Sequence, residues 1–296
     1  MRTVLAFRTI LPTFTYHRPS SLAELLELKA KLGKDAAILA GGTDLLVDMK
    51  MGVKRPPHVI DIKGIRELHV LEYKEGSGLI IGPTVTLREL ETNSLLKEKY
   101  PVLWDAVRKI ADVALRERAT LAGNIANASP AADSAPALLV YDAKVELTSV
   151  DGSRLVPLRE FFTGVKKTVM KENEVITKII VPEPPAGAKG EYFKAVRSAE
   201  DLALVGIAAL VANPNNPAER VVRLAYASVA PTPVYVREVE ELFKKDEPLN
   251  KLIKEAVNIV LSKVSPISDV RATREYRLHL VKYVTAYLLR KLLGVK

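Results

Sequence analysis

Ala40, Gly41, Gly42, Thr43, Asp44 and Leu45 follow directly on an apolar stretch, Ala36 to Leu39. Two successive glycines leave backbone N–H groups uncovered, Thr43 adds a hydroxyl, and the start of a following helix favours negative charge. A phosphate-like anion suits such a turn. A tight turn capped by Thr43 or Asp44 explains the same residues. The second stretch runs from Thr120 to Pro136, TLAGNIANASPAADSAP. Its small and amide residues lack the bulk to make a core of their own. They can line a narrow cavity instead, with Asn124, Ser129 and backbone N–H groups as donors and Asp133 as acceptor for a ribose or ribityl hydroxyl. An ordinary long loop is the alternative, although loops of this length without a function are uncommon.

Other chemistries find little support. The chain has no cysteine, which removes disulfides, thiolate catalysis and any Cys-ligated iron–sulfur cluster from it. His17, His58, His69 and His279 are scattered without metal-ligand spacing, so no metal site is expected. No nucleophile–base arrangement is visible, and no catalytic residue is assigned. The formal charge is +9, but basic and acidic residues alternate, as in KENEVITK and REVEELFKKDE. That pattern describes solvated faces and excludes a nucleic-acid stripe, leaving an acidic protein surface as the better electrostatic partner. Glutamine is absent while Lys, Arg and Glu are abundant, the composition of a thermophile.

The elements that must position these stretches can be read from pattern. With 296 residues, the chain suits two or three compact units of ~100–200 residues each. Ser20-Ser21 before LAELLELKAKLG predicts a capped helix stopped by Gly33. AAIL, HVIDIKGI, LHVLEY and GLIIGPTVT predict strands, LRELETNSLL and YPVLWDAVRKIAD two helices. AKVELTSV and SRLVPL flank the hairpin signal Asp151-Gly152, and VITKIIV precedes a Pro-rich linker, Pro182 to Gly187. Beyond it, EYFKAVRS, LALVGIAALVAN and VVRLAYASVAP predict three antiparallel strands, followed by three helices. The last of these aligns Val281, Val284, Leu288 and Leu292 on a stripe for core or subunit interface. The longest apolar run, Leu202 to Ala212, is far short of the ~20 residues of a membrane span. Arg8 interrupts the apolar N-terminal stretch and no cleavage site follows, so no export signal is assigned and a cytoplasmic location is expected.

Taken together, AGGTDLL and TLAGNIANASPAADSAPALL resemble the two flavin-binding segments of the FAD subunits in the xanthine dehydrogenase and carbon monoxide dehydrogenase (molybdenum hydroxylase) family. In that family the second segment carries Thr, then Gly-Gly-Asn, then A-x-P-x-x-D; here Ala122 stands for the first of the two glycines. PTFTYHRPSSLAELLEL is similar to the family's opening strand and helix, VAPTPVYVREVEEL to its C-terminal domain, and SDVRATREYRLHLVKYVTAYLLRK to its last helix. The resemblance implies an α+β protein: a two-lobed α/β FAD-binding domain (PCMH/VAO-like) over residues 1–186, with lobes of about 1–60 and 61–186, and a smaller α+β C-terminal domain of antiparallel sheet and helices over 187–296. It implies that Gly41, Gly42, Thr43, Asp44, Thr120, Gly123 and Asn124 contact the FAD diphosphate region, flanked by Leu39, Ala40, Leu45, Ile110, Ala111, Leu115 and Ala126. Asp133 would take ribityl or ribose hydroxyls, and Ile176 and Lys194 would sit near the ring. Asp201 and Leu202 would lie at the isoalloxazine edge, where some relatives have Tyr in place of Leu202. Because an aspartate beside a diphosphate is electrostatically unfavourable, Asp44 is expected to cap the following helix or bind a hydroxyl.

The same resemblance implies an electron-transfer subunit. Substrate would be oxidised at a molybdenum-pterin centre in a large subunit, and electrons would pass through 2Fe–2S clusters of a small subunit to the FAD and on to an undetermined acceptor, within a hetero-oligomer. The lack of cysteine counts against a relative with a built-in iron–sulfur loop. Two other readings are a stand-alone flavoprotein reductase of related fold, for which no proton donor is evident, and a non-catalytic nucleotide-binding module.

Overall fold

The N-terminal lobe grows from one alternation of strand and helix: β1 (Thr15–His17), α1 (Leu22–Leu32), β2 (Ala36–Leu39), α2 (Leu45–Lys50) and β3 (His58–Asp61). β3 lies between β1 and β2, parallel to both. Parallel neighbours require crossover connections, which α1 and α2 supply. Ser21 caps α1 by accepting the Glu24 N–H, and the Gly33 N–H closes it on the Lys29 carbonyl. Leu25, Ile60, Ile62, Ile65 and Leu68 form the small core beneath. The computed structural model describes residues 10–295; the part of the export-signal reading that rests on residues 1–9 lies outside the described residues.

The second lobe is larger. It runs through β4 (Leu71–Lys74), β5 (Gly78–Ile81), α3 (Leu87–Thr92), α4 (Ser94–Lys99), α5 (Pro101–Arg108), α6 (Val113–Arg116), α7 (Leu121–Ala126) and α8 (Ser134–Val140). It then returns as β6 (Lys144–Ser149), β7 (Gly152–Pro157), α9 (Leu158–Phe161), β8 (Phe162–Gly164), β9 (Lys167–Thr168) and β10 (Val175–Val181). The sheet order is β4-β5-β10-β6-β7, antiparallel throughout. The expected turn at Asp151-Gly152 joins β6 to β7, with Ser149 opposite Gly152. Two expected helices are three, because Asn93 ends α3 and its side chain accepts the Leu96 N–H at 2.9 Å to start α4. Pro101 then opens α5 at a position where a missing N–H costs nothing. The stretch from Thr120 to Pro136 is not one long loop: α7 and the start of α8 occupy most of it. Small residues there allow close helix packing, and Thr120 supplies the cap that periodicity alone did not reveal.

Past the Pro-rich stretch come β11 (Lys189–Ala195), β12 (Val205–Ala212), β13 (Val221–Ala227), β14 (Val234–Tyr235), α10 (Arg237–Leu242), α11 (Leu249–Lys263) and α12 (Arg274–Leu293). The sheet follows chain order and is antiparallel, as the three apolar runs predict. Every residue of β12 is buried. Val205, Ile207, Ala209 and Val211 face a core shared with α10–α12, while Ala208 and Leu210 face the core of the second lobe. A strand covered on both faces reads as a continuous apolar run. Of the stripe on α12, Val281 and Leu288 are fully buried in that core, with Val284 and Leu292 partly buried against it. The α+β class and the two-lobed region with its antiparallel C-terminal sheet agree with expectation. Among the described residues no helix is long and apolar enough to cross a membrane.

Candidate functional site

Strand β2 delivers the chain into the double-glycine turn, where both glycines are required for different reasons. A side chain on Gly41 would overlap the backbone carbonyl of Arg118, and Gly42 has φ 78°, the left-handed region. Gly41 therefore lies directly against the residues leading into Thr120, so the two stretches singled out in the sequence meet. The N–H groups of Gly41, Gly42, Thr43 and Asp44 have no backbone acceptor among the described residues. The expected cap fails: Asp44 occupies the N-cap position of α2 in a helical conformation, with no side-chain hydrogen bond to the helix. A residue already at helical φ and ψ points its carboxylate away from the first-turn N–H groups, and Asp44 is exposed.

The second stretch presents its donors on one side of a short helix. The Thr120 hydroxyl accepts the Gly123 N–H at 3.0 Å. A Cβ added to Gly123 would meet only that hydroxyl, so this face of α7 is otherwise open. Asn124 accepts from the Ser134 hydroxyl at 2.6 Å through its side-chain oxygen, leaving the amide nitrogen free to donate. Ala126 is exposed, whereas Ala122 is buried and not at positive φ, so its extra methyl carries no backbone strain. Ile176 is buried in β10, on which α7 packs.

Asp133 is more engaged than a free acceptor. Its Oδ2 lies 3.0 Å from the Lys194 ammonium and its Oδ1 accepts the Tyr192 hydroxyl at 2.7 Å, all three side chains being buried. Burial pushes the Asp133 carboxyl upward, against the pull of Lys194 and Tyr192 toward the ionised form. Burial likewise drives the Tyr192 hydroxyl well above its ordinary value, with Asp133 adding to it. Lys194 also donates to the Lys109 carbonyl at 2.7 Å, next to Ile110. Strand β11 thus ties Asp133 to the end of α5.

Ile110, Ala111 and Leu115 are gathered by a residue that sequence reasoning missed. The buried Arg116 donates to the carbonyls of Ile110 and Ala111 at 2.8 and 2.9 Å, while Glu91 holds its other two nitrogens at 3.0 and 3.2 Å. Ala111 has φ 47°, a strained conformation for alanine. The Leu115 carbonyl accepts the Ala119 N–H, which carries the chain on to Gly41 and Thr120. No local signal links Arg116 to Glu91. Tyr192, by contrast, shares a face of β11 with Lys194 two residues on, a period that could have revealed it. Asp201 and Leu202 stand apart in the β11–β12 connection, with Asp201 paired to Arg197 at 3.1 Å and Leu202 57% exposed. Leu39, Ala40 and Leu45 flank the glycine turn, Leu39 accepting the Ile62 N–H through its carbonyl at 3.1 Å.

This geometry coincides with similarity over almost the whole chain. A family profile described as FAD binding domain in molybdopterin dehydrogenase matches residues 12–184, and one described as CO dehydrogenase flavoprotein C-terminal domain matches residues 191–292. The chain is 36% identical to a xanthine dehydrogenase FAD-binding subunit of Escherichia coli O157:H7, over 92% of this chain and 93% of that one. It is 34% identical to the glyceraldehyde dehydrogenase medium chain of Sulfolobus acidocaldarius, over 93% of this chain and 96% of that one. A solved chain of carbon monoxide dehydrogenase from Hydrogenophaga pseudoflava superposes with a TM-score of 0.91 at 30% identity, over 97% of this chain and 99% of that one. With one profile covering most of the first two lobes and relatives of this identity spanning nearly all of both chains, the protein belongs to the family of the FAD binding domain in molybdopterin dehydrogenase.

Proposed function

We propose that this chain is the FAD-carrying electron-transfer subunit of a molybdenum-pterin, iron–sulfur hydroxylase or dehydrogenase. The observation that carries the proposal is the meeting of Gly41 with Arg118 and Ala119, which joins a turn of uncommitted N–H groups to the segment that leads into α7 and its open face at Gly123. Uncommitted backbone donors next to a face that a side chain would fill fit a dinucleotide diphosphate. When bound, FAD supplies the electron chemistry, exchanging electrons one or two at a time, and the protein supplies position and potential.

In this reading Gly41, Gly42, Thr43 and Asp44 bind the diphosphate through backbone N–H groups, with Thr120, Gly123 and Asn124 opposite. The exposed Asp44 carboxylate is left to a hydroxyl. Asp133 keeps lone pairs for a ribityl or ribose hydroxyl after accepting from Tyr192 and Lys194. Leu39, Ala40, Leu45, Ile110, Ala111, Leu115 and Ala126 wall the cofactor, and Ile176, Lys194, Asp201 and Leu202 approach the ring. The domains divide as residues 1–186 and 187–296, a reading supported by profiles that end at 184 and begin at 191. The partners are a large molybdenum-pterin subunit and a small 2Fe–2S subunit, and we place the complex in the cytoplasm. Relatives are named for xanthine, glyceraldehyde and carbon monoxide, so substrate choice belongs to the large subunit and not to this chain. The purified chain is expected to show flavin absorbance bands and to release FAD on heating or acidification. A colourless protein that takes up no added FAD would overturn the proposal.

A further inference from the structure

Helix α12 carries bulky rings or apolar side chains on two opposite sides, and the core takes only one of them. Val281, Leu288, Leu289 and Leu293 are buried with α11 and the C-terminal sheet. On the other side Tyr276, Tyr283 and Tyr287 are 50%, 55% and 58% exposed. With His279 between the first two, their spacings of seven and four residues set them on one stripe, about 17 Å long at ~1.5 Å per residue. The segment leading into the helix leaves Ile267 and Val270 exposed as well. A helix that is apolar all round belongs inside a larger structure. The rings are already ordered: the His279 and Tyr283 centroids are 4.3 Å apart, and the ammonium groups of Lys282 and Lys291 lie 5.4 and 6.0 Å from the centroids of Tyr283 and Tyr287. Rings held in this way lose little freedom when covered, and tyrosine is enriched in the cores of protein interfaces.

Charge selects what covers them. Outside the core, α12 carries Arg274, Lys282, Arg290 and Lys291 against the single acid Glu275. Lys291 is matched by Glu191 of β11, while Arg274 and Lys282 have no acidic partner among the described residues. Just before and within the first turns, Arg271 and the buried Arg277 share one carboxylate, Asp269, which leaves a further positive charge at the start of the helix. A two-fold pairing of two copies apposes identical patches and would set this excess against itself. Single-stranded nucleic acid also stacks on aromatic rings, but it follows a basic groove, and the outer side of a helix is convex. A protein surface rich in carboxylates meets the charge and covers the rings together.

We propose that the outer face of α12, with Tyr276, Tyr283 and Tyr287 framed by Arg274 and Lys282, docks an acidic surface of a partner subunit. This docking rests on the function proposed for the chain, one subunit of a larger complex. The test is tyrosine nitration by tetranitromethane, mapped by mass spectrometry, on the full-length FAD-loaded chain alone and assembled with its molybdenum-pterin and 2Fe–2S subunits. The three rings are expected to react in the chain alone and to be protected by about tenfold or more in the assembly. Arg274→Glu combined with Lys282→Glu, both exposed, is expected to weaken assembly by about tenfold and to flatten its dependence on salt, with flavin absorbance unchanged. Equal reactivity of the three tyrosines in the assembly would overturn the proposal, as would unchanged affinity and salt dependence in the charge-reversed chain. Protection in the chain alone with a doubled mass would assign the face to a second copy, and protection by a single-stranded oligonucleotide would assign it to nucleic acid; either refutes an acidic partner. Failure of the flavin assignment looks different. A colourless chain that still assembles through these tyrosines leaves the docking face standing, whereas a yellow chain that joins neither subunit removes the docking face alone.

Discussion

At Gly123 a hydrogen atom in place of a side chain keeps one face of α7 open, with only the Thr120 hydroxyl, 3.0 Å from an added Cβ, in reach. Gly123→Val fills that face and crowds the cap, which by itself is worth about 1 kcal/mol. The expected outcome is loss of bound FAD with the C-terminal sheet and helices intact, read from flavin absorbance and circular dichroism; normal flavin occupancy would remove α7 from the site. The Asp133–Lys194 pair makes a second case. Lys194→Met strands a buried carboxylate and should cost about 3–5 kcal/mol in denaturant unfolding, while Asp133→Asn combined with Lys194→Met should recover part of that loss. Additive losses in the double variant would mean that the two side chains do not depend on each other. Asp269 adds a pH dependence. Its carboxyl lies below the ordinary 3.8 in the folded chain, so its stabilisation is complete above that value and fades as pH falls through the folded pKa. The stability gap between wild type and Asp269→Asn should therefore be constant near neutrality and narrow only in acid, as measured by unfolding at a series of pH values.

At the scale of elements, what the sequence made legible is whatever local pattern controls. Ser21 and Gly33 bounded α1, Asp151-Gly152 made the β6–β7 hairpin, and the three apolar runs after the Pro-rich stretch became β11, β12 and β13. The small-residue segment hid α7 because a six-residue helix that buries only Leu121, Ala122 and Ile125 is too short to show a hydrophobic period. That the two glycine-bearing stretches meet was implied only by the resemblance, and the Glu91–Arg116 pair by nothing in the sequence. That Gly41 abuts Arg118, or that Glu91 and Arg116 hold the turn between α5 and α6, is decided by tertiary packing and by pairs with no fixed spacing. The Arg116 clamp carries its own prediction. Arg116→Met leaves Glu91 with Arg88 as its one remaining cation among the described residues and two carbonyls without donors, for a loss of about 2–4 kcal/mol. Because Ala111 is strained, the turn at Ile110 and Ala111 should relax with it. FAD affinity, followed by quenching of flavin fluorescence, should weaken while the Gly41 turn remains in place; unchanged affinity would show that this turn does not shape the site.

For the whole molecule, the C-terminal sheet is the structural partition between two cores. On one side β11 to β13 meet α5 and α8 through Tyr192, Ala208, Leu210 and Ala225; on the other, Val205, Ile207 and Leu224 meet α10, α11 and α12. The Tyr192–Asp133 and Lys194–Asp133 contacts join the sheet to the start of α8, so the candidate cofactor site and the C-terminal sheet share their support. A piece comprising residues 187–296 would keep its helices on one face of β12 but expose the other. Exposed contiguous apolar surface of that kind drives association. The isolated piece is therefore expected to fold its helical side yet to self-associate and to bind a hydrophobic dye, as read by size-exclusion chromatography and dye fluorescence. Residues 1–186 alone should lose Lys194 and Tyr192 from Asp133 and bind FAD more weakly than the full chain. If both pieces were monomeric and the first bound FAD with full affinity, the sheet would be an appendage and its shared core of no consequence. Mixing the pieces offers the converse check: restored FAD affinity would mean that burying the second face of β12 is what completes the site.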